Sequence, residues 1–335
     1  MKKVVLIDVV HWHLPLYLGA LERADVEVVG VTDPTGTTGP ELAKRFHTKC
    51  YDTCADLLQQ VTPDLAFVFG RHSDMPATAN LLLDHDIPMA IEKPCGLRTS
   101  DVRQLSEKAA RKGVFVAIPF IFRLSDTFRV ISNELDQVKL DHASFRFIAG
   151  APNRYEKAGT PWMLDKNISG GGPLINVGVH LLDLFRILSG SDIVAVSAFS
   201  TSHINNLSIE DFISVTLQCA SGAVGTVECG YTFPSSPALQ REFTFSLCSG
   251  SHFLRSTHNG INISRDTSAG IINEFSPAEF ETDHYYADFV THVLDALEKG
   301  GGSIANFEDA AKALELVEAA YMSAAQGGQT IHLPL

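Results

Sequence analysis

The sequence predicts an α/β plus α+β chain of two domains: a doubly wound parallel sheet over residues 1–122, then an open, mainly antiparallel sheet covered on one face by helices over residues 123–335. Two observations carry this reading. From residue 3 to about 120, short β-branched runs alternate with amphipathic segments, the signature of parallel strands joined by helical crossovers. Beyond residue 122 the runs lengthen and alternate apolar with polar residues, as strands of an antiparallel sheet with one solvated face do. A chain of 335 residues, 45% of them hydrophobic, is long enough to bury two cores.

Taken in order, strands are expected at 4–10, 26–32, 65–69, 88–91 and 114–119, each too continuously apolar to face water on one side. Helices are expected at 14–24, 40–46, 55–60, 76–85 and 100–112, with Pro15 suited to the first turn of the first. Ser100 is a candidate cap for the last, along which Val102, Leu105 and Ala109 recur at helical spacing. In the second half, strands are expected at 213–219, 224–229 and 242–247. Two helices, 284–299 and 307–325, close the chain around a turn at 300–303. An open sheet with one face uncovered wants a partner, which predicts a homodimer or homotetramer through the C-terminal sheet.

The 26 Lys and Arg against 39 Asp and Glu give a net charge of -13, which opposes binding to nucleic acid or anionic lipid because phosphate recognition needs clustered cations. Six cysteines, at 50, 54, 95, 219, 229 and 248, form no Cys-x-x-Cys pair and read as reduced thiols of a cytoplasmic protein. The start resembles a signal peptide, but Asp8 interrupts its apolar run and His11-Trp12-His13 stands where a small-residue cleavage site would be, so it reads as a buried strand. No apolar stretch approaches the roughly 20 residues of a spanning helix.

Ligands of doubly wound sheets bind beyond the carboxyl ends of the strands. The residues there are Asp8 to His13, Asp33, Arg71 with His72, and Glu92-Lys93-Pro94. Lys93 precedes a proline, which holds it extended at the strand end or permits a cis bond that aims it sharply. In the second half Gly170-Gly171-Gly172-Pro173 opens a helix on which Asn176, His180 and Asp183 share one side. Three glycines permit close backbone approach to a ligand, and a histidine titrates in the range that proton transfer needs.

Glu92-Lys93-Pro94 after a strand, the run from Gly170 to Asp183, and a closing helix leading into Ile331-His332-Leu333-Pro334 together resemble the glucose-fructose oxidoreductase, inositol dehydrogenase and rhizopine-catabolism (Gfo/Idh/MocA) family over essentially the whole chain. The resemblance implies an N-terminal Rossmann domain that binds dinucleotide. It also implies a substrate-binding and oligomerisation domain, and hydride exchange between nicotinamide and a hydroxyl-bearing carbon of a sugar or polyol. Carried over, it makes Lys93 and His180 catalytic: His180 takes the alcohol proton, and Lys93 stabilises charge developing on the oxygen. Asn176 stands where the family usually has aspartate and can orient groups but not titrate. The resemblance also places Trp162 and Asp165 in a loop beside the substrate and His72 near the nicotinamide. Met163 replaces an arginine common after the tryptophan, which disfavours acidic sugars, although Arg123 is a candidate substitute.

The chain departs from the family at the phosphate turn, where Asp8, Val10 and His13 stand in place of the three glycines of Gly-x-Gly-x-x-Gly. The amides at the start of the first helix, with His11 and His13 as donors, are the expected replacements, as in family members with His-x-His at this turn. Cofactor contacts are therefore expected from Asp8, His11, Trp12, His13, Asp33, His72, Glu92 and Lys93. Asp33 suits the adenosine ribose, and the lack of arginine at 34–39 favours NAD over NADP. No metal site is assigned, although His11, His13, His72 and His180 form an alternative ligand set. Two other readings stay open: a family member of non-redox net chemistry, such as glycoside elimination or hydrolysis, and a non-catalytic sugar or nucleotide sensor.

Overall fold

Each strand of the N-terminal half is short, apolar and followed by a helix, and its backbone bonds form a parallel sheet. The structure, a computed structural model, describes residues 1–135, 139–234, 241–300 and 304–335. By contact density the chain divides into two units. The first takes residues 1–120, 155–170 and 283–311, and the second takes 121–154, 171–282 and 312–335. Both are discontinuous, where reading along the chain places a single boundary at 122.

In the first unit the elements run β1 (Lys2–Ile7), α1 (Leu14–Arg23), β2 (Val26–Thr32), α2 (Gly39–Arg45), β3 (Cys50–Tyr51), α3 (Cys54–Leu58), β4 (Leu65–Val68), α4 (Met75–Asp84), β5 (Met89–Ile91), α5 (Thr99–Lys112) and β6 (Val116–Ala117). The six parallel strands lie in the order β3-β2-β1-β4-β5-β6, the doubly wound order whose switch point falls between β1 and β4. Val4 to Ile7 are fully buried, each contributing roughly 1.5–3 kcal/mol of hydrophobic stabilisation. The two-residue β3 has no apolar run to announce it. Helix α5 begins at Thr99, and the Ser100 hydroxyl bonds Asp101 instead of capping the helix.

The second unit holds α6 (Asp126–Leu135) and β7 (His142–Gly150). After α7 (Asn153–Lys157) and the short α8 (Lys166–Ser169), a π-helical turn, Leu174–Gly178, leads into α9 (Val179–Ser189). Strands β8 (Ile193–Thr201), β9 (Phe212–Cys219), β10 (Val224–Phe233), β11 (Arg241–Ser249), β12 (His252–Ser256), β13 (Gly260–Thr267) and β14 (Gly270–Pro277) follow. Helices α10 (Tyr285–Lys299) and α11 (Phe307–Ala325) and strand β15 (Ile331–His332) complete the chain, α8 and α10 belonging to the first unit. The nine-stranded sheet, ordered β14-β13-β12-β11-β7-β10-β9-β8-β15, is antiparallel except where β7 pairs β10. Along β9, Ile213, Val215, Leu217 and Cys219 point into the core and alternate with more exposed neighbours, as the period of two requires. Of the turn expected at 300–303, residues 301–303 lie outside the described residues.

One expectation needs correction. The stretch Lys166–Ser189 has the length and composition of a membrane span, but 78% of its most apolar window is buried in the protein, as in a core helix.

Candidate active site

Strand β1 stops at Ile7, short of the expected end, because Asp8 adopts a left-handed conformation with φ 54. Aspartate tolerates that region when its side chain bonds locally. Here the carboxylate accepts from the hydroxyls of Thr32 (3.1 Å) and Thr78 (2.8 Å), and the Asp8 amide donates to Thr32 Oγ1 (2.7 Å). Burial raises the Asp8 pKa, with the two threonine hydroxyls opposing. Asp8 thus makes the tight turn that the first glycine of a nucleotide loop makes.

Most of the amides beyond it are already engaged. Val9 and Val10 donate to the carbonyls of Thr32 (3.0 Å) and Phe69 (3.2 Å), His13 donates to Nδ1 of His11 (3.2 Å), and Leu14 and Leu16 donate to the carbonyls of His11 (3.1 Å) and His13 (2.8 Å). Pro15 has no N–H. The expectation that the first amides of α1 face the rim free for phosphate is therefore corrected. His11 and His13 also do not alternate along an extended strand, since His13 is already helical.

Around Lys93 the hydrogen bonds fix each proton. Glu92 Oε1 accepts from Tyr17 (2.6 Å) and lies 3.1 Å from His13 Nδ1, while its Oε2 accepts the Lys93 amide (3.2 Å). With the His13 Nδ1 proton directed at the carboxylate, Nε2 is the acceptor for the Tyr286 hydroxyl at 3.1 Å. Tyr286, the second residue of α10, thereby joins this cluster. Lys93 is fully buried behind this network at the end of β5, and its bond to Pro94 is cis.

His11 and His72 complete the rim. His11 Nδ1 accepts the His13 amide and His72 Nδ1 donates to the Ser169 carbonyl (2.8 Å). Burial pushes His11 well below its ordinary pKa. Burial, then repulsion from Lys93, pushes His72 down to about 3. Trp162 donates its indole N–H to the Val10 carbonyl (3.1 Å) and lies edge-on to His72, with ring centroids 5.0 Å apart. The Trp12 ring lies tilted against His13, with centroids 4.1 Å apart. Asp165 caps α8 through the Asn167 amide (2.9 Å), and the last carbonyl of that helix, Ser169, is the one that orients His72. Asp165 is thus a brace for His72.

His11, His13 and Glu92 bring ligand-type atoms within 4.8 Å of one another. Both nitrogens of His13 and Oε1 of Glu92 are already hydrogen-bonded, so a cation would have to displace Tyr286 and Tyr17, and the set fits a polar network better than a metal centre. Asp33 stands at the end of β2, as expected for ribose recognition. Its carboxylate accepts from the Thr35 amide and hydroxyl and from the Thr38 and Gly39 amides, at 2.7–2.8 Å. Burial raises its pKa, but these donors together hold it below the ordinary value. A Cβ on Gly39 would lie 2.5 Å from Asp33 Cβ, so this brace needs glycine there.

The dinucleotide fits the rim in topology and in the turn at Asp8. It does not find the full set of free amides of a glycine loop, because those of Val9, Val10, His13, Leu14 and Leu16 are bonded within the protein.

The second unit holds Asn176 on the π-helical turn and His180 and Asp183 on α9, all buried. The expected shared polar side is therefore interior. Asn176 donates to the Tyr231 hydroxyl (2.9 Å), and His180 packs near Phe122. Asp183 receives both arms of Arg123 (2.7 and 2.6 Å) and one of Arg186 (3.0 Å), so Arg123 is held in a bidentate ion pair. The glycines before this helix admit the chain itself. Glu210 accepts from the amides of Gly172 (2.9 Å) and Leu174 (3.0 Å) and from Tyr321 (2.9 Å), and a Cβ on Gly172 would lie 2.5 Å from the Glu210 carbonyl. Burial raises the Glu210 pKa, and those donors oppose it. Glu210, Tyr231, Tyr17 and Tyr286 have no motif that would single them out in the sequence. A cavity of about 880 Å³ in this unit, bordered by Arg186, Asp192, Lys312 and Glu315, contains none of the candidate residues.

Residues 13–120 match the oxidoreductase family with an NAD-binding Rossmann fold, and residues 130–248 match the GFO/IDH/MocA C-terminal domain. The chain is similar to trans-1,2-dihydrobenzene-1,2-diol dehydrogenase of Mus musculus, with 23% identity over 213 residues, 63% of this chain and 62% of that protein. It is similar to the rhizopine catabolism protein MocA of Rhizobium meliloti, with 23% identity over 226 residues, 65% of this chain and 68% of that one. The match to the mouse and pig diol dehydrogenases spans less than two thirds of their length. Among solved structures, GenD2 from gentamicin A biosynthesis in complex with NAD shares the fold at a TM-score of 0.83 and 22% identity, covering 100% of this chain and 97% of that one.

Proposed function

The chain belongs to the Gfo/Idh/MocA family of oxidoreductases with an NAD-binding Rossmann domain, and on that premise we propose that it is an NAD-dependent dehydrogenase or reductase that moves a hydride between nicotinamide and a hydroxyl-bearing carbon of a neutral sugar or polyol. The observation that carries this reading is Lys93, an amine fully buried at the carboxyl end of β5, on a backbone fastened by Glu92. Bound NAD supplies the hydride acceptor. Lys93 hydrogen-bonds the alcohol oxygen and stabilises the charge that develops on it, and His180 receives the proton. Asn176, tethered to Tyr231, orients the substrate and does not titrate. Asp8, His11, Trp12, His13, Asp33, His72 and Glu92 line the cofactor rim. NAD is preferred to NADP because Asp33 would repel a 2′-phosphate and no arginine follows it at 34–39. Trp162 and Asp165 shape the substrate loop, with Arg123 behind its ion pair.

Replacing Lys93 with Ala should lower NADH formation from an accepted polyol at least about 100-fold, the scale of losing one preorganised charge-stabilising donor. Full turnover in that variant would refute the mechanism. The engaged amides of the Asp8 to His13 turn favour a second reading, a member of non-redox net chemistry or a sugar or nucleotide sensor. Nucleotide binding with no NADH formation across a polyol panel would select it.

The same reading makes the protein a cytoplasmic homodimer or homotetramer through the C-terminal sheet. Its support is edge strand β14, which leaves Ile271 71% and Phe275 49% exposed. Light scattering of the purified chain should give a mass of two or four copies, and a monomer at micromolar concentration would exclude it.

A further inference from the structure

His11 and His72 are each buried at the rim of the first unit, 2% and 0% exposed, and each has one ring nitrogen, Nε2, with no hydrogen-bond partner among the described residues. A buried polar atom left unsatisfied is costly, so two on neighbouring rings point to a ligand atom. Their partners at Nδ1 give the free nitrogens opposite characters. His11 Nδ1 accepts the His13 amide, which puts the proton of the neutral ring on Nε2 and makes that atom a donor. His72 Nδ1 donates to the Ser169 carbonyl, which leaves Nε2 a bare acceptor.

The ring centroids are 5.8 Å apart. Two hydrogen bonds of about 2.8 Å meeting at one hydroxyl oxygen at a roughly tetrahedral angle bridge nitrogens about 4.6 Å apart, a separation that rings at this centroid distance allow. A carboxylate or phosphate oxygen cannot donate to His72, an ammonium cannot accept from His11, and a ketone satisfies only His11. A hydroxyl satisfies both through a single atom. The Trp162 ring, 5.9 Å from His11 and 5.0 Å from His72, supplies an apolar wall.

We propose that His11 and His72 form an uncharged clamp for one aliphatic hydroxyl, with His11 Nε2–H donating to its oxygen and His72 Nε2 accepting its hydrogen. Two molecules carry that chemistry, the polyol substrate and the ribose of the nicotinamide nucleotide. The clamp rests on the proposed function only in naming these two sources.

Nitrogen-15 NMR of the full chain labelled at histidine tests it, with NADH alone, myo-inositol alone, D-glucose alone, and NADH with each sugar. The expected result is an unprotonated His72 Nε2 and a protonated His11 Nε2 in the free protein, both shifting together on at least one addition. A shift with NADH assigns the hydroxyl to the ribose, and a shift that needs inositol or glucose assigns it to the substrate. His72→Phe should remove the His11 response and weaken binding of the responding probe about tenfold. Should that variant not fold, the wild-type spectra decide alone. Two silent histidines under every addition would mean a bridging water only and overturn the clamp, as would a proton on His72 Nε2. Turnover of a polyol with both histidines silent sinks the clamp alone. A response to NADH with no NADH formation from any polyol sinks the proposed function alone.

Discussion

Acid should destabilise the first unit through His72, and a His72→Asn variant isolates the effect. Burial, reinforced by the Lys93 charge, holds the native pKa at about 3 against the ordinary 6.5, with the Ser169 carbonyl and Glu92 opposing. The unfolded chain takes up a proton near pH 6.5 that the native ring refuses. The stabilising contribution is therefore whole above 6.5 and is lost as the pH falls toward 3. Each pH unit below 6.5 costs about 1.4 kcal/mol, so from pH 7.5 to 4.5 His72 alone removes about 3 kcal/mol. Asparagine keeps an N–H donor for the Ser169 carbonyl and has nothing to protonate. Urea unfolding followed by the fluorescence of Trp12 and Trp162, the only tryptophans and both in this unit, reads the stability at each pH. The stability gap between wild type and His72→Asn should shift by about 3 kcal/mol in favour of the variant at pH 4.5. An identical gap at both pH values would refute the assignment of a neutral, buried His72.

Three further outcomes follow from the geometry. Glu210→Ala leaves the Gly172 and Leu174 amides without their acceptor and should lower stability by at least about 3 kcal/mol in urea unfolding, whereas Glu210→Gln, which keeps one carbonyl acceptor, should cost less. Asp183→Ala strips Arg123 and Arg186 of a shared buried carboxylate and should cost about 3–5 kcal/mol, visible as a large fall in Tm. Asp8→Gly should fold, since glycine takes φ 54 freely, while Asp8→Val should be markedly less stable by thermal unfolding because a β-branched residue resists that φ.

The parallel half was legible because its strands are buried on both faces and therefore read as unbroken apolar runs. Residues 26–32 were placed to the residue, and β3, two residues long, left no such run. Lys93 was legible because a charged residue directly after such a run, before proline, has few structural explanations. The glycines at 170–172 were legible as a close approach, but not as an approach to Glu210 and Tyr321, which lie far along the chain. The same limit hid Tyr17 and Tyr286 behind Glu92 and the bidentate hold of Asp183 on Arg123. Period and capping are local properties, whereas the partner of a buried polar group is set by tertiary contact. Strand β1 was read three residues too long because Val9 and Val10 continue its pattern, and only the φ of Asp8 ends it.

That turn leaves less of its backbone open to a ligand. In a glycine loop the ligand is met by amides, which no substitution of a side chain removes. Here the amides of Val9, Val10, His13 and Leu14 hold the turn itself, and Asp33 holds the loop after β2 with all four of its acceptor positions. The polar atoms left over at the rim include imidazole nitrogens, whose donor and acceptor characters are set by the His13 amide and the Ser169 carbonyl, and the Nε of Arg71.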